Sequence, residues 1–349
     1  MGSDLLTPGL GEGNTPLVES VRIGPSMGLA RLLFKLEITN PTGSYKDRFV
    51  AAEMRRILRS GARACLATSS GNTGSSLAAY CARSGVACAI VVNERAPAGK
   101  LAQMQAHGAR IFRVVDFITS PVVTENVMRR LADMAQAHGA PLVVSAYRYC
   151  PEGMAGVESI AGELRKQCGA APDDVFVPVG GGGLFTAICR GFEEGSGRIP
   201  RVHAIQPLGC STVVAAFGRG DEEIRRVEST TRISGLAVPF DIDAGLALAG
   251  LRRSGGQGIA VSDDEVFEAQ RLLIRLEGIY CEPAGAATLA GLQRAVSAHF
   301  VRPEATVVCL VTGHGFKDPE SIAQAAAPFP AELIEQDALE GRLLNVLAR

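Results

Sequence analysis

The chain has 349 residues, 47% hydrophobic and 20% charged, the proportions of an ordinary globular protein with room for two domains. A formal net charge of −1 provides no field of one sign to gather nucleic acid or an anionic membrane, and with 5% aromatics and no Trp there is little to build a base-stacking platform. No run approaches the ~18 uninterrupted apolar residues of a membrane span. Met1-Gly2-Ser3-Asp4 is not a basic segment leading into an apolar run, so a cytoplasmic, small-molecule protein is expected. The nine cysteines form no C-x-x-C pair, which predicts small apolar core residues and no metal site.

Short apolar runs alternate with stretches of helical period, the pattern of a mostly parallel sheet. In chain order the expected strands are 32–36, 64–68, 87–92, 111–115, 142–145, 175–179, 202–206 and 306–311. The expected helices among them are 44–59, 73–83, 100–106, 124–137 and 154–166. Gly61, Gly85, Gly108 and Gly139 fall just past helical runs, where a left-handed residue is wanted. The Gly-, Ala- and Asp-rich stretch 240–257 reads as a loop, and residues from Pro328 on as a peripheral helical tail. Two adjoining α/β blocks would leave a cleft at the carboxyl ends of their strands.

Four segments carry chemistry. In Asn40-Pro41-Thr42-Gly43-Ser44-Tyr45-Lys46-Asp47-Arg48, Pro41 and Gly43 punctuate a turn, and Ser44 as N-cap would put Lys46 in the first turn of a helix. A cation opposes the helix dipole there, although a lone lysine is most often a solvated surface charge. Thr68-Ser69-Ser70-Gly71-Asn72-Thr73, between a strand and a helix, offers hydroxyls and backbone N–H groups to a carboxylate or phosphate. Gly180-Gly181-Gly182-Gly183 is costly in backbone entropy, and is understandable where the chain must approach an anion closely. Its spacing is neither the dinucleotide fingerprint nor a P-loop. Finally, Thr312-Gly313-His314-Gly315 follows an apolar strand and would place the Thr312 hydroxyl at its carboxyl end.

In this order the segments resemble the fold-type II, tryptophan synthase β-like pyridoxal-phosphate enzymes, and within them the short threonine synthases. Gly13-Asn14-Thr15-Pro16-Leu17 and Glu277-Gly278-Ile279-Tyr280-Cys281-Glu282-Pro283-Ala284 extend the resemblance over nearly the whole chain. It implies two adjoining three-layer α/β domains with mostly parallel sheets: a large cofactor-binding domain, 1–39 plus 145–349, and a smaller mobile one, 40–144. It also implies a homodimer. Lys46 would hold pyridoxal 5'-phosphate as a Schiff base and shuttle the substrate α-proton. Asn72 would meet the phenolic oxygen, Gly180, Gly181, Gly182 and Gly183 the phosphate, and Thr312 the pyridine nitrogen. Ser69, Ser70, Asn72 and Thr73 would gather the substrate carboxylate, and Ser145 and Arg148 its far end. Glu282 is read either at the cofactor edge or as a helix start, and His314 is left without a role.

The all-glycine loop departs from the threonine synthase pattern towards cysteine synthases and serine/threonine dehydratases. Val144-Ser145 and Cys150 stand where those synthases have an Asn-Ser pair and an Arg, with Arg148 two residues away. The expected activity is a lyase reaction, β/γ-elimination or replacement on a small α-amino acid. Dehydratase or β-replacement chemistry on an O-activated serine remains open, as do a non-catalytic binding protein of this fold and a nucleotide-binding α/β protein.

Overall fold

The structure, a computed structural model, describes residues 9–96 and 98–347. Its strands are β1 (Leu17–Glu19), β2 (Arg31–Leu36), β3 (Ala64–Ala67), β4 (Ala87–Asn93) and β5 (Arg110–Val114), followed by β6 (Leu142–Val143), β7 (Asp174–Pro178), β8 (Arg201–Pro207), β9 (Gly258–Val261) and β10 (Thr306–Val311). They form a six-stranded sheet in the order β1-β2-β10-β7-β8-β9 and a four-stranded sheet in the order β5-β4-β3-β6. Among the described strands only β1 runs antiparallel to its neighbour. Strands such as β7, buried at every position, need helices on both faces, which explains their unbroken apolar runs.

The strand orders decide where a ligand goes. From β7 the large sheet grows one way to β8 and β9, and β10 returns on the other side of β7. From β3 the small sheet grows to β4 and β5, and β6 returns beside β3. A crevice opens at such reversals, outside the carboxyl ends of the strands. The loops after β3, β7 and β10 are the three serine-, glycine- and threonine-bearing segments singled out in the sequence.

Helix Lys46–Arg59 packs against helix Pro151–Cys168 at very short range. Glycine permits this: a Cβ on Gly156 would lie 2.5 Å from the Arg48 carbonyl oxygen. Beside this contact lies a largely buried ionic network. Arg48 donates to Glu37 at 2.8 Å and to Glu163 at 2.6 Å, and Lys35 donates to Glu163 at 2.6 Å. Burial alone would raise Glu163, but hydrogen bonds from Arg48 and Lys35 outweigh it and bring its carboxyl down to about 2. The helix that carries Lys46 is thereby tied to β2 and to helix Pro151–Cys168.

Three expectations need correction. The stretch read as a loop, 240–257, contains the helix Ala244–Ser254, because Ala244, Ala247, Leu248 and Leu251 carry a helical period that its glycines disguised. Strand 142–145 stops at Val143, where the chain turns so that Ser145 enters the cleft. The helix expected from Ser44 begins at Lys46, with Tyr45 in the cap position. Gly61, Gly85, Gly108 and Gly139 all have positive φ, as expected. The described part of the tail ends in the exposed helix Leu339–Leu347.

Candidate active site

A cleft of about 600 Å³, within the usual range for a small-molecule site, opens where the two sheets' loops face each other. Lys46 lines it from the first turn of its helix, and its ammonium donates to the Ser145 hydroxyl at 2.7 Å. The same nitrogen lies 4.5 Å from the centroid of the Tyr45 ring. Backbone stitches fix the lysine loop to the loop after β10: Tyr45 N–H donates to the Thr312 carbonyl at 3.1 Å and His314 N–H to that of Gly43 at 2.9 Å. Next to Lys46, the buried Asp47 carboxylate accepts from Thr42 N–H and Oγ1 and from Ser76 Oγ, at 2.7, 2.6 and 2.5 Å. The turn is held from inside, although Ser44 does not cap the helix.

Ser69, Ser70, Asn72 and Thr73 line the opposite wall at the N-terminus of helix Asn72–Ser84, so N–H groups and hydroxyls converge there on one side of the cleft. The Asn72 amide donates to Glu282 Oε1 at 2.8 Å. Glu282 precedes Pro283 at a helix start, yet its side chain reaches the cleft and makes no capping bond.

Gly180, Gly181, Gly182 and Gly183 form the floor, at the N-terminus of helix Gly183–Glu194. Gly182 has φ +99°, and a Cβ there would lie 2.5 Å from the Asp243 carbonyl oxygen. A Cβ on Gly180 would come within 3.0 Å of the Gly235 carbonyl oxygen. Thr312, buried, joins the lining from the end of β10.

One expected residue is not brought here. Arg148 is exposed and does not line the cleft; its guanidinium lies 5.9 Å from the Tyr149 ring centroid. The cause is local: Tyr147 and Arg148 N–H groups both donate to the buried Asp243 carboxylate, at 2.7 and 3.2 Å, and this turns the loop outward. A different cation lines the cleft. Lys317 donates to Gln103 Oε1 at 2.6 Å, and Gln103 in turn donates to the Thr42 carbonyl at 3.3 Å. Burial lowers the Lys317 pKa, against the pull of Glu282 and Asp47. His314 is outside the lining, where Nδ1 accepts from Phe316 N–H and the ring packs on Tyr280.

The sequence profile of the pyridoxal-phosphate dependent enzymes matches residues 9–313. The chain belongs to that family. It is 34% identical over 323 residues to a threonine synthase of Methanocaldococcus jannaschii, covering 90% of this chain and 78% of the relative. With a threonine synthase of Mycobacterium tuberculosis it shares 32% identity over 341 residues, 95% of this chain and 90% of the relative. The crystal structure of a T.th. threonine deaminase is similar at 27% identity and a TM-score of 0.69, over 86% of this chain and 92% of that one. The cleft fits the family's cofactor on its own geometry: an amine at one wall, a helix N-terminus floored by glycines that a Cβ would block, and a hydroxyl at the end of β10.

Proposed function

We propose that the chain is a threonine synthase-like lyase, carrying out β/γ-elimination or replacement on a small α-amino acid. Pyridoxal phosphate, when bound, supplies an electron sink for negative charge developing at the substrate Cα. Lys46 then holds the cofactor aldehyde and, once free, moves the proton at Cα. Gly180 to Gly183 bind the phosphate, Thr312 the ring nitrogen and Asn72 the phenolic oxygen. Ser69, Ser70, Asn72 and Thr73 orient the α-carboxylate, and Ser145 holds the lysine amine between proton transfers. The observation that carries this reading is the lining itself, since lysine, anion floor and carboxylate wall meet in one cleft. We further infer a homodimer in the cytoplasm, with 40–144 moving as a smaller domain against 1–39 plus 145–349.

For the far end of the substrate we assign Lys317 in place of Arg148. Its ammonium would leave Gln103 for an anionic leaving group such as a phosphate ester. A spectral and kinetic screen with O-phosphohomoserine, O-acetylserine, Ser and Thr tests this. Lys317→Met raises KM for O-phosphohomoserine selectively, whereas Arg148→Ala leaves it unchanged. Equal KM effects of Lys317→Met on all four substrates would reject the assignment of Lys317, and a cofactor band that none of them perturbs would reject the activity.

A further inference from the structure

Three cysteines meet on one face of the small sheet, away from the cleft lining. Cys65 on β3 and Cys88 on β4 are register partners in parallel strands, so their side chains point to the same face. Cys81 descends on that face from helix Asn72–Ser84. The three sulfurs lie within 4.8 Å of one another, and those of Cys65 and Cys81 are 3.4 Å apart. The residues are 0%, 1% and 7% exposed for Cys65, Cys81 and Cys88. Among the described residues no other group of three His, Cys, Asp or Glu side chains converges in this way.

We propose that Cys65, Cys81 and Cys88 form a three-thiol binding site for trivalent arsenic, taken up as arsenite. Three converging sulfurs and no other ligand suit a soft, thiophilic centre with trigonal coordination, whereas zinc would require a fourth donor. Charge selects further. Three thiolates around a trivalent centre make a neutral complex, but around a divalent or monovalent ion they leave net negative charge in a buried site. Such charge is costly there, and the Glu53 carboxylate is close enough to repel it at Cys65.

The reaction is a condensation. As(OH)3 and three Cys–SH groups give As(S–Cys)3 and three waters; As–O and S–H bonds break, As–S and O–H bonds form, and no electron is transferred. Cys88 makes the first attack. It is the most exposed of the three, at 7% against 1% for Cys81 and 0% for Cys65, and so the first that arsenite can reach. Cys65 and Cys81 also bracket Ser69, Ser70, Asn72 and Thr73, so occupancy ties β3 to the helix that presents the carboxylate wall. That consequence rests on the proposed function; the binding does not.

The test uses holoenzyme incubated with sodium arsenite and freed of excess by gel filtration. The expected result is one arsenic retained per chain, with three sulfur neighbours by X-ray absorption. Cys88→Ala and Cys81→Ser should each lose the retained arsenic while keeping the cofactor's visible band, which reports folding. Cys309→Ala, at a buried cysteine outside the trio, should retain it. No arsenic on the wild-type protein, or equal retention by folded Cys88→Ala or Cys81→Ser, overturns the proposal. If arsenic binds and the carboxylate wall is affected, the substrate-induced spectral change is lost; intact binding with no substrate response in the untreated enzyme would instead count against the proposed function alone.

Discussion

Replacing Gly182 by alanine separates a ligand cradle from a tight turn. The backbone at φ +99° costs an alanine about 1–2 kcal/mol. Its Cβ would also press on the Asp243 carbonyl oxygen at 2.5 Å, which is main chain and cannot rotate away, so the glycine loop or the loop at Asp243 must shift. If that shift withdraws one N–H from the cofactor phosphate, a charge-assisted hydrogen bond worth about 1.5–3 kcal/mol is lost. The dissociation constant for pyridoxal phosphate should then rise roughly 10- to 150-fold. Gly220→Ala is the matched control: φ is +73°, nothing lies within 4 Å of its Cβ, and it ends helix Val213–Arg219. It should cost similar stability in urea unfolding of the apo protein while leaving cofactor affinity unchanged. The assay is a visible-absorbance titration of each apo protein with pyridoxal phosphate. Equal affinities for Gly182→Ala and wild type would refute the cradle.

Arg48→Met leaves the buried Glu37 and the half-buried Glu163 carboxylates without their shared guanidinium and should cost about 3–5 kcal/mol in urea unfolding. A change under about 1 kcal/mol would place the pair among ion pairs that contribute little. The Glu163 carboxyl, depressed from 4.5 to about 2, contributes stability that is present above 4.5 and is lost as pH falls towards 2. The wild-type urea midpoint should therefore drop over that window more steeply than that of Glu163→Gln; parallel curves would contradict the assignment. Asn72→Ala should weaken cofactor binding and shift its visible band, since the amide meets both Glu282 and the proposed position of the phenolic oxygen; an unchanged band would remove Asn72 from the cofactor.

The parts of this fold that the sequence revealed are those where one physical signal dominates. Strands such as 306–311 are buried on both faces and read as uninterrupted apolar runs, and the helix ends at Gly85 and Gly139 require left-handed backbone. Leu17–Glu19 offers only two apolar residues and Gly258–Val261 emerges from a glycine-rich turn, so neither stands out as a strand. The serine and glycine loops were legible because clustered small polar residues at strand ends have few other uses. Arg148 was misplaced because linear spacing does not show that Asp243, 95 residues away, turns its loop outward. Lys317 has no role in the sequence reading; only the return of β10 beside β7 brings it to the cleft and to Gln103. The cysteines were expected to be core residues, and eight of the nine are buried, but their convergence at three positions depends on strand register.

Among the described residues two lysines line the cleft, Lys46 and Lys317, and only one can carry the cofactor. Borohydride reduction of the holoenzyme followed by peptide mapping distinguishes them. The account predicts loss of the visible band with the pyridoxyl label on Lys46, and no such band in Lys46→Ala. A label on Lys317, or a Lys46→Ala protein that still forms the reducible band, would contradict it.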